Sequence, residues 1–307
     1  MTEVDFLAMC RVPGVSWYFI AREAQRPGGI ENLIAGKTSE RNADAEQTLA
    51  LLAAAYDEMP THRAWVRATL EAAAADGIRL TTVLDDDYPA NLRLIFNLPP
   101  FLFYRGELRH DDARAVAVVG TRDPSAEGVK RARQLAAGLA GQQVTVISGL
   151  ARGIDTAAHE ACLEAGGRTI AVLGTGIRRT YPPENADLAE RIAATGALVS
   201  QFWPDSPPRT DTFPRRNVTM SGLGQGTVVV EASATSGAKM QARMALEHGK
   251  QVFLLASLAD QQAWARRYLD RGAVRVDGVD AILQRVRSVE AIDQQSQQRR
   301  QLTLALN

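Results

Sequence analysis

Cysteine is nearly absent from this chain of 307 residues: Cys10 and Cys162 are the only two, far apart and in no CxxC spacing. That argues against a disulfide framework or a cysteine zinc site. Neither sign of charge is in excess, with Lys+Arg at 35 and Asp+Glu at 35. A chain of zero net charge has no general attraction for polyanions, so any nucleic-acid binding must come from a local basic patch. The first ten residues, MTEVDFLAMC, carry acids and no basic n-region, which argues against a secretory signal. No apolar run approaches the roughly 18 residues of a membrane span. A cytoplasmic protein without membrane association is the expectation. The sequence also lacks a Walker A motif, a metal-ligand cluster, a Ser–His–Asp arrangement and a carboxylate pair with credible spacing. No enzyme activity, metal or cofactor is therefore expected, and the chemistry on offer is binding.

Hydrophobic residues make up 46% of the chain, enough for one large α/β domain and a smaller companion. Residues 1–72 read as a small all-helical domain, SAM-like or helix-hairpin-helix-like. An apolar segment over Asp5–Met9 and a helical stretch near Trp17–Ala24 flank the turn Val12-Pro13-Gly14-Val15. Such a turn can offer backbone N–H groups to DNA phosphates, but an ordinary tight turn between packed helices is the preferred reading. A polar linker, KTSERNADAEQ, leads to an Ala-rich helical stretch over residues 50–75, broken at Met59-Pro60. Strand-like runs at 80–83 and 101–104 enclose a short helix after Tyr88-Pro89.

From Ala115 the pattern alternates. Strands are placed near 115–119, 144–147, 169–173, 197–201, 227–231 and 252–256, with helices near 125–140, 154–165, 185–194, 216–223 and 237–248. That alternation implies βαβ units, a Rossmann-like parallel sheet with helices on both faces, over residues 73–286. A last strand–helix piece covers Ala273 to Val286, and the Gln-rich tail at 287–307 is expected to be mobile or an interaction tail.

Right-handed crossovers put the loops after the strands on one edge of the sheet. Five loops there are rich in glycine, arginine or small polar residues. In Gly120-Thr121-Arg122-Asp123-Pro124 the strand ends at Gly120, and Asp123 is expected to cap the next helix. In Ser148-Gly149-Leu150-Ala151-Arg152-Gly153-Ile154-Asp155, two glycines flank Arg152, and Asp155 is positioned to pair with it. His159 lies four residues after Asp155 and reads as a buried, hydrogen-bonded histidine. Gly174-Thr175-Gly176-Ile177-Arg178-Arg179 is not GxGxxG, and no acidic ribose partner follows, which disfavours a dinucleotide site. Phe213-Pro214-Arg215-Arg216-Asn217 reads as a loop joining an aromatic ring to two cations, the usual means of holding single strands. Ala232 to Gly237, containing Ser236, is small and polar before a helix with Lys239 and Arg243.

Taken in order, GTR at 120–122, SGLARGIDTAAH at 148–159, GGRTIAVLGTG at 166–176, YPPEN at 181–185, FPRRN at 213–217, VVEA at 229–232 and SGA at 236–238 resemble the DNA-processing protein A (DprA, or Smf) family. The resemblance is strong over about residues 76–256 and includes the upstream DDDYPANLRLIFNLPPFLFYRGEL. It implies a Rossmann-like fold that binds single-stranded DNA, usually as a dimer, and helps load a RecA-type recombinase during natural transformation. It implies further that Arg122, Arg152, Phe213, Arg215, Arg216 and Asn217 line the DNA groove. The expected site also takes in Gly120, Thr121, Ser148, Gly149, Gly153, Gly174, Thr175, Gly176, Ser236 and Gly237. Two departures stand out: Ala256-Ser257 where the family commonly has Pro-Gly, and Arg266-Arg267-Tyr268-Leu269 ahead of Gly272-Ala273. Many members also carry a C-terminal winged-helix-like domain, and this sequence ends without one.

A competing reading is a nucleotide sensor or a phosphoribohydrolase-like enzyme. Gly222-Leu223-Gly224-Gln225-Gly226-Thr227 and Glu231 only loosely resemble the PGGxGTxxE signature of those enzymes, with Glu231 one residue late. A third reading is an interaction module built on the N-terminal helices and the tail.

Overall fold

The computed structural model describes residues 3–305. Helices α1 (Glu3–Arg11), α2 (Trp17–Ala24), α3 (Gly29–Ile34), α4 (Ala43–Ala54) and α5 (Met59–Ala75) come first. Capping sets their starts: the side chains of Ser16 and Asn42 accept from Phe19 N and Ala45 N. Pro60 sits in the first turn of α5, where a missing N–H costs nothing. Strands β1 (Arg79–Thr82) and β2 (Phe101–Gly106) follow. The alternating region runs β3 (Ala115–Val119), α6 (Ala126–Gly141), β4 (Thr145–Ser148), α7 (Ile154–Glu164), β5 (Thr169–Val172), α8 (Ala186–Thr195), β6 (Ala197–Ser200), α9 (Thr212–Leu223), β7 (Gly226–Val229), α10 (Gly237–Glu247) and β8 (Gln251–Leu255). Beyond it lie α11 (Ala256–Gln261), α12 (Ala263–Leu269), β9 (Val274–Val276), α13 (Val279–Leu283) and α14 (Val289–Ala305).

The nine strands form one sheet in the order β1-β2-β6-β5-β4-β3-β7-β8-β9. Strands β3 to β9 are parallel, as the pattern predicts, while β1 and β2 add an antiparallel edge through β2 and β6. Chain order runs outward from β3 in one direction through β4, β5 and β6, then restarts on its other side with β7 and β8. The gap between the C-terminal ends of β3 and β7 is thus the topological switch point, where α/β sheets open a crevice. Every residue of β3, AVAVV, is buried, as a central parallel strand requires. Val116 and Val118 pack with Ala132, Leu135 and Leu139 of α6 on one face. Ala115, Ala117 and Val119 join the core on the other face.

That second core is continuous with the N-terminal helices. Trp17 lies 5.0 Å from Phe101, Phe101 lies 4.8 Å from Trp203, and Trp203 meets Trp65 edge-on at 5.0 Å. Helix α5 runs to Ala75, past the boundary expected at residue 72.

Three sequence expectations need correction. FPRRN is not a loop. It forms the first turns of α9, because Pro214 falls where a helix needs no N–H donor and Thr212 Oγ1 donates to Gly174 O at 2.6 Å. Helix α6 is capped by Ser125, whose side chain accepts from Gly128 N, and not by Asp123. The Gln-rich tail, read from its composition as having no core pattern, forms the helix α14 over Val289–Ala305. Its apolar stripe is only one residue wide, with Ile292 and Ser296 buried four positions apart, which hides it from a periodicity reading. Polar contacts add to the docking, with Asp293 2.5 Å from His110 and Arg300 3.1 Å from Asp86.

Candidate nucleic-acid interface

The switch point opens into a groove of about 410 Å³. One wall is the stripe Phe213, Arg216, Asn217 and Met220 of α9, spaced to share a helix face. The opposite wall is Ser236, Gly237, Met240 and Gln241 at the start of α10, and the end of β3 supplies Gly120, Thr121 and Arg122. The guanidinium of Arg122 is exposed and stands 5.7 Å from the centre of the Phe213 ring. Gly174 lies directly beneath that ring, where a Cβ would collide with it. Gly237 opens α10, so the positive end of this eleven-residue helix faces the groove.

Behind the groove wall, Arg216 is 7% exposed and serves as a strut. It donates through Nη1 to Gly149 O at 2.7 Å and to Val172 O at 2.9 Å, and through Nε to Asn217 Oδ1 at 3.1 Å. Burial, with Arg122 nearby, pulls its pKa below the ordinary arginine value, against the pull of Asp155. Asp155 is buried too, and burial raises its pKa although Arg216 works the other way. Its carboxylate accepts from Gly149 N at 3.1 Å and Ala151 N at 3.4 Å. Asp155 therefore does not pair with Arg152, which turns outward to Glu184 at 3.3 Å.

Loop two is shaped from within. Gly149 has no side chain because the Arg216 guanidinium occupies that space. Gly153, at φ +79°, lies against the backbone of Thr121 and Arg122. Leu150 is buried at φ +57°, a strained setting for a branched residue, and Asn185 of the YPPEN segment donates to its carbonyl at 2.8 Å. Ser148 donates to Val118 O at 2.7 Å. His159 is buried and lies 2.7 Å from Thr169 Oγ1, while burial and Arg216 hold its pKa down at about 3.

Of the sixteen expected site residues, Gly120, Thr121, Arg122, Phe213, Arg216, Asn217, Ser236 and Gly237 line the groove. The others stand apart from it. Ser148, Gly149 and Gly153 support it from below, and Gly174 supports the Phe213 ring. Thr175 is buried with its hydroxyl on Arg179 O, and Gly176 packs against the backbone of Trp203 and Pro204. Arg152 is taken by Glu184. Arg215 points to the N-terminal helices, 4.6 Å from the Trp17 ring and 5.1 Å from Phe202. One residue step along the helix, about 100°, separates the directions of Arg215 and Arg216, and a loop reading cannot resolve that.

The first loop departs further. The carboxylate of Glu231 accepts from Ser125 N at 3.2 Å and from Ser125 Oγ at 2.7 Å. An internal anion thus occupies the start of α6. The sequence reading missed Met220, Met240, Gln241 and Asp155 as groove residues. The spacing of 213, 216, 217 and 220 would have revealed Met220 once the segment was read as helix. Among the described residues, no group of three or more His, Cys, Asp or Glu is placed to hold a metal ion, and no helix is long and apolar enough to cross a membrane.

Fold and groove together define a Rossmann-like α/β protein with an open crevice at the sheet's switch point. A family model described as DNA recombination-mediator protein A matches residues 79–287, and the chain belongs to that family. The chain is 38% identical over 221 residues to Protein Smf of Synechocystis, a match covering 70% of this chain and 56% of that one. With DNA processing protein DprA of Streptococcus pneumoniae it shares 41% identity over 174 residues, covering 57% of this chain and 61% of that one. Protein Smf of Escherichia coli is 46% identical over 169 residues, covering 55% of this chain and 45% of that one. The matched region thus spans about half the length of these curated relatives. The X-ray structure of DNA processing protein A from Streptococcus pneumoniae superposes with a TM-score of 0.73 at 27% identity, covering 94% of this chain and 99% of that one. DNA processing protein A from Helicobacter pylori shares the fold with a TM-score of 0.59 at 24% identity, over 67% of this chain and 94% of that one; its structure is described in terms of a single-stranded DNA binding mode.

Proposed function

We propose that this chain binds single-stranded DNA in the switch-point groove and acts as a recombination mediator. In this reading it works as a homodimer and helps load a RecA-type recombinase on incoming or exposed strands. One observation carries the binding step: an exposed arginine, Arg122, stands over an accessible aromatic ring, Phe213, beside the N-terminal end of α10. A ring can stack any base, a guanidinium can hold the adjoining phosphate, and a helix N-terminus favours the same charge. Family membership and the DNA-processing names of the relatives point the same way. Glu231, which a phosphoribohydrolase would need, is engaged at the start of α6 instead.

Fluorescence anisotropy with a labelled oligo-dT, at several salt concentrations, tests this. Arg122→Ala is expected to weaken binding several-fold and to lower the salt slope by about 0.7, the release accompanying one phosphate contact on a single strand. An unchanged affinity and slope would overturn the assignment.

A further inference from the structure

Away from the switch point, a second concavity of about 340 Å³ lies between α2, the connection from β1 to β2, and α14. Arg22, Arg26, Arg93, Arg299 and Arg300 line it, no carboxylate does, and Phe96, 52% exposed, forms part of its wall. Carboxylates reach some of these arginines from outside. Arg22 pairs with Glu40 at 2.9 Å, Arg26 with Glu23 at 3.5 Å, and Arg300 with Asp86 at 3.1 Å. Arg93 directs its hydrogen bonds to neutral acceptors, Val83 O at 3.0 Å, Gln25 Oε1 at 3.4 Å and Asp85 O. Burial and the approach of Arg300 hold Arg93 below the ordinary arginine value. Five guanidinium groups thus converge on one half-enclosed space, three of them paired on their outer side with Glu40, Glu23 or Asp86, and they come from the N-terminal helices, the sheet's edge connection and the last helix.

Guanidinium groups gathered around a concavity suit a phosphate, which accepts several of their planar N–H forks at once. An exposed ring beside them suits a planar base. We propose that this pocket is a phosphate-binding site for a nucleotide, with its phosphate on the arginines and its base against Phe96. The site is separate from the groove and does not rest on the groove's assignment. Two sources share this chemistry: a free nucleotide and the phosphorylated end of a strand. Because α2 and α14 both contribute, bound phosphate would also tie α14 to the N-terminal helices.

Calorimetric titration of the whole chain tests the site, with ATP, pyrophosphate, and oligo-dT carrying or lacking a 5′ phosphate. The double variant Arg26→Ala/Arg300→Ala removes two rim cations and leaves the groove intact. ATP is expected to bind the wild type, to bind the double variant about tenfold more weakly or worse, and to slow amide exchange in α14 only in the wild type. Tighter binding of ATP than of the 5′ phosphate assigns the free nucleotide, and the reverse assigns the strand end; either upholds the site. Pyrophosphate binding as tightly as ATP would overturn the part given to Phe96. Failure of every phosphate probe to bind, or equal affinity in wild type and double variant, would overturn the site. Oligo-dT without the phosphate reports the groove alone, and is expected to respond to Arg122→Ala and not to the double variant.

Discussion

Arg216 is a cation turned into the protein, bonded to two backbone carbonyls from different strand ends. Its replacement by Met keeps the volume but leaves Gly149 O and Val172 O without this donor and Asp155 buried without its nearby cation. We expect a loss of about 3 kcal/mol in stability, read as a lower urea midpoint. Reduced DNA binding in that variant would accompany unfolding, which separates Arg216 from the exposed Arg122. Two buried imidazoles set the acid limit. His159 and His248 have folded pKa values near 3 and 4, both through burial first, against an unfolded value of 6.5. Between those values the unfolded chain binds more protons than the folded one, so stability rises with pH up to about 6.5 and is flat above it as far as these groups are concerned. At pH 4 the protein is expected to be about 3 kcal/mol less stable than at pH 7 through His159 alone. His159→Gln should flatten that slope, and an unchanged pH profile would count against it.

Helix α9 presents two neighbouring stripes to different surroundings. Positions 213, 216, 217 and 220 face the groove, while Arg215 faces Trp17. The presentation of Phe213 depends on Gly174 beneath it. Gly174→Ala would push the ring aside without touching a hydrogen bond of the groove. Phe213→Ala is expected to weaken oligo-dT binding by about 1–3 kcal/mol, the usual value of stacking one base. If Gly174 acts only by seating that ring, Gly174→Ala should cost less than Phe213→Ala, and the double variant no more than Phe213→Ala itself. Additive losses in this cycle would show that the two residues act separately. The element scale also explains a limit of sequence reading. The pattern of FPRRN, a proline and two arginines after a long irregular run, is that of a loop, and the long-range bond from Thr212 to Gly174 O that anchors the helix start is not visible in it.

Across the whole molecule, one core joins the N-terminal helices to the sheet, and α14 packs on the connections from β1 to β2 and from β2 to β3. The fold was largely legible because its signals are local. Buried runs such as AVAVV and caps such as Ser16 act over a few residues, so strands, most helices and the parallel sheet follow from short windows of sequence. Half of the expected residues meet in the groove, and for Gly120, Arg122 and Gly237 the reason is the same: they sit at strand ends and helix starts that the pattern locates. The tertiary structure alone decided which arginine faces what. Arg122, Arg152, Arg215 and Arg216 are alike in a sequence, yet one stands free over a ring, one meets Glu184, one packs on Trp17 and one is buried as a strut. The partners Phe213, Glu184, Trp17 and Gly149 lie between 32 and 198 residues away in the chain, and a charge takes its role from what surrounds it in space.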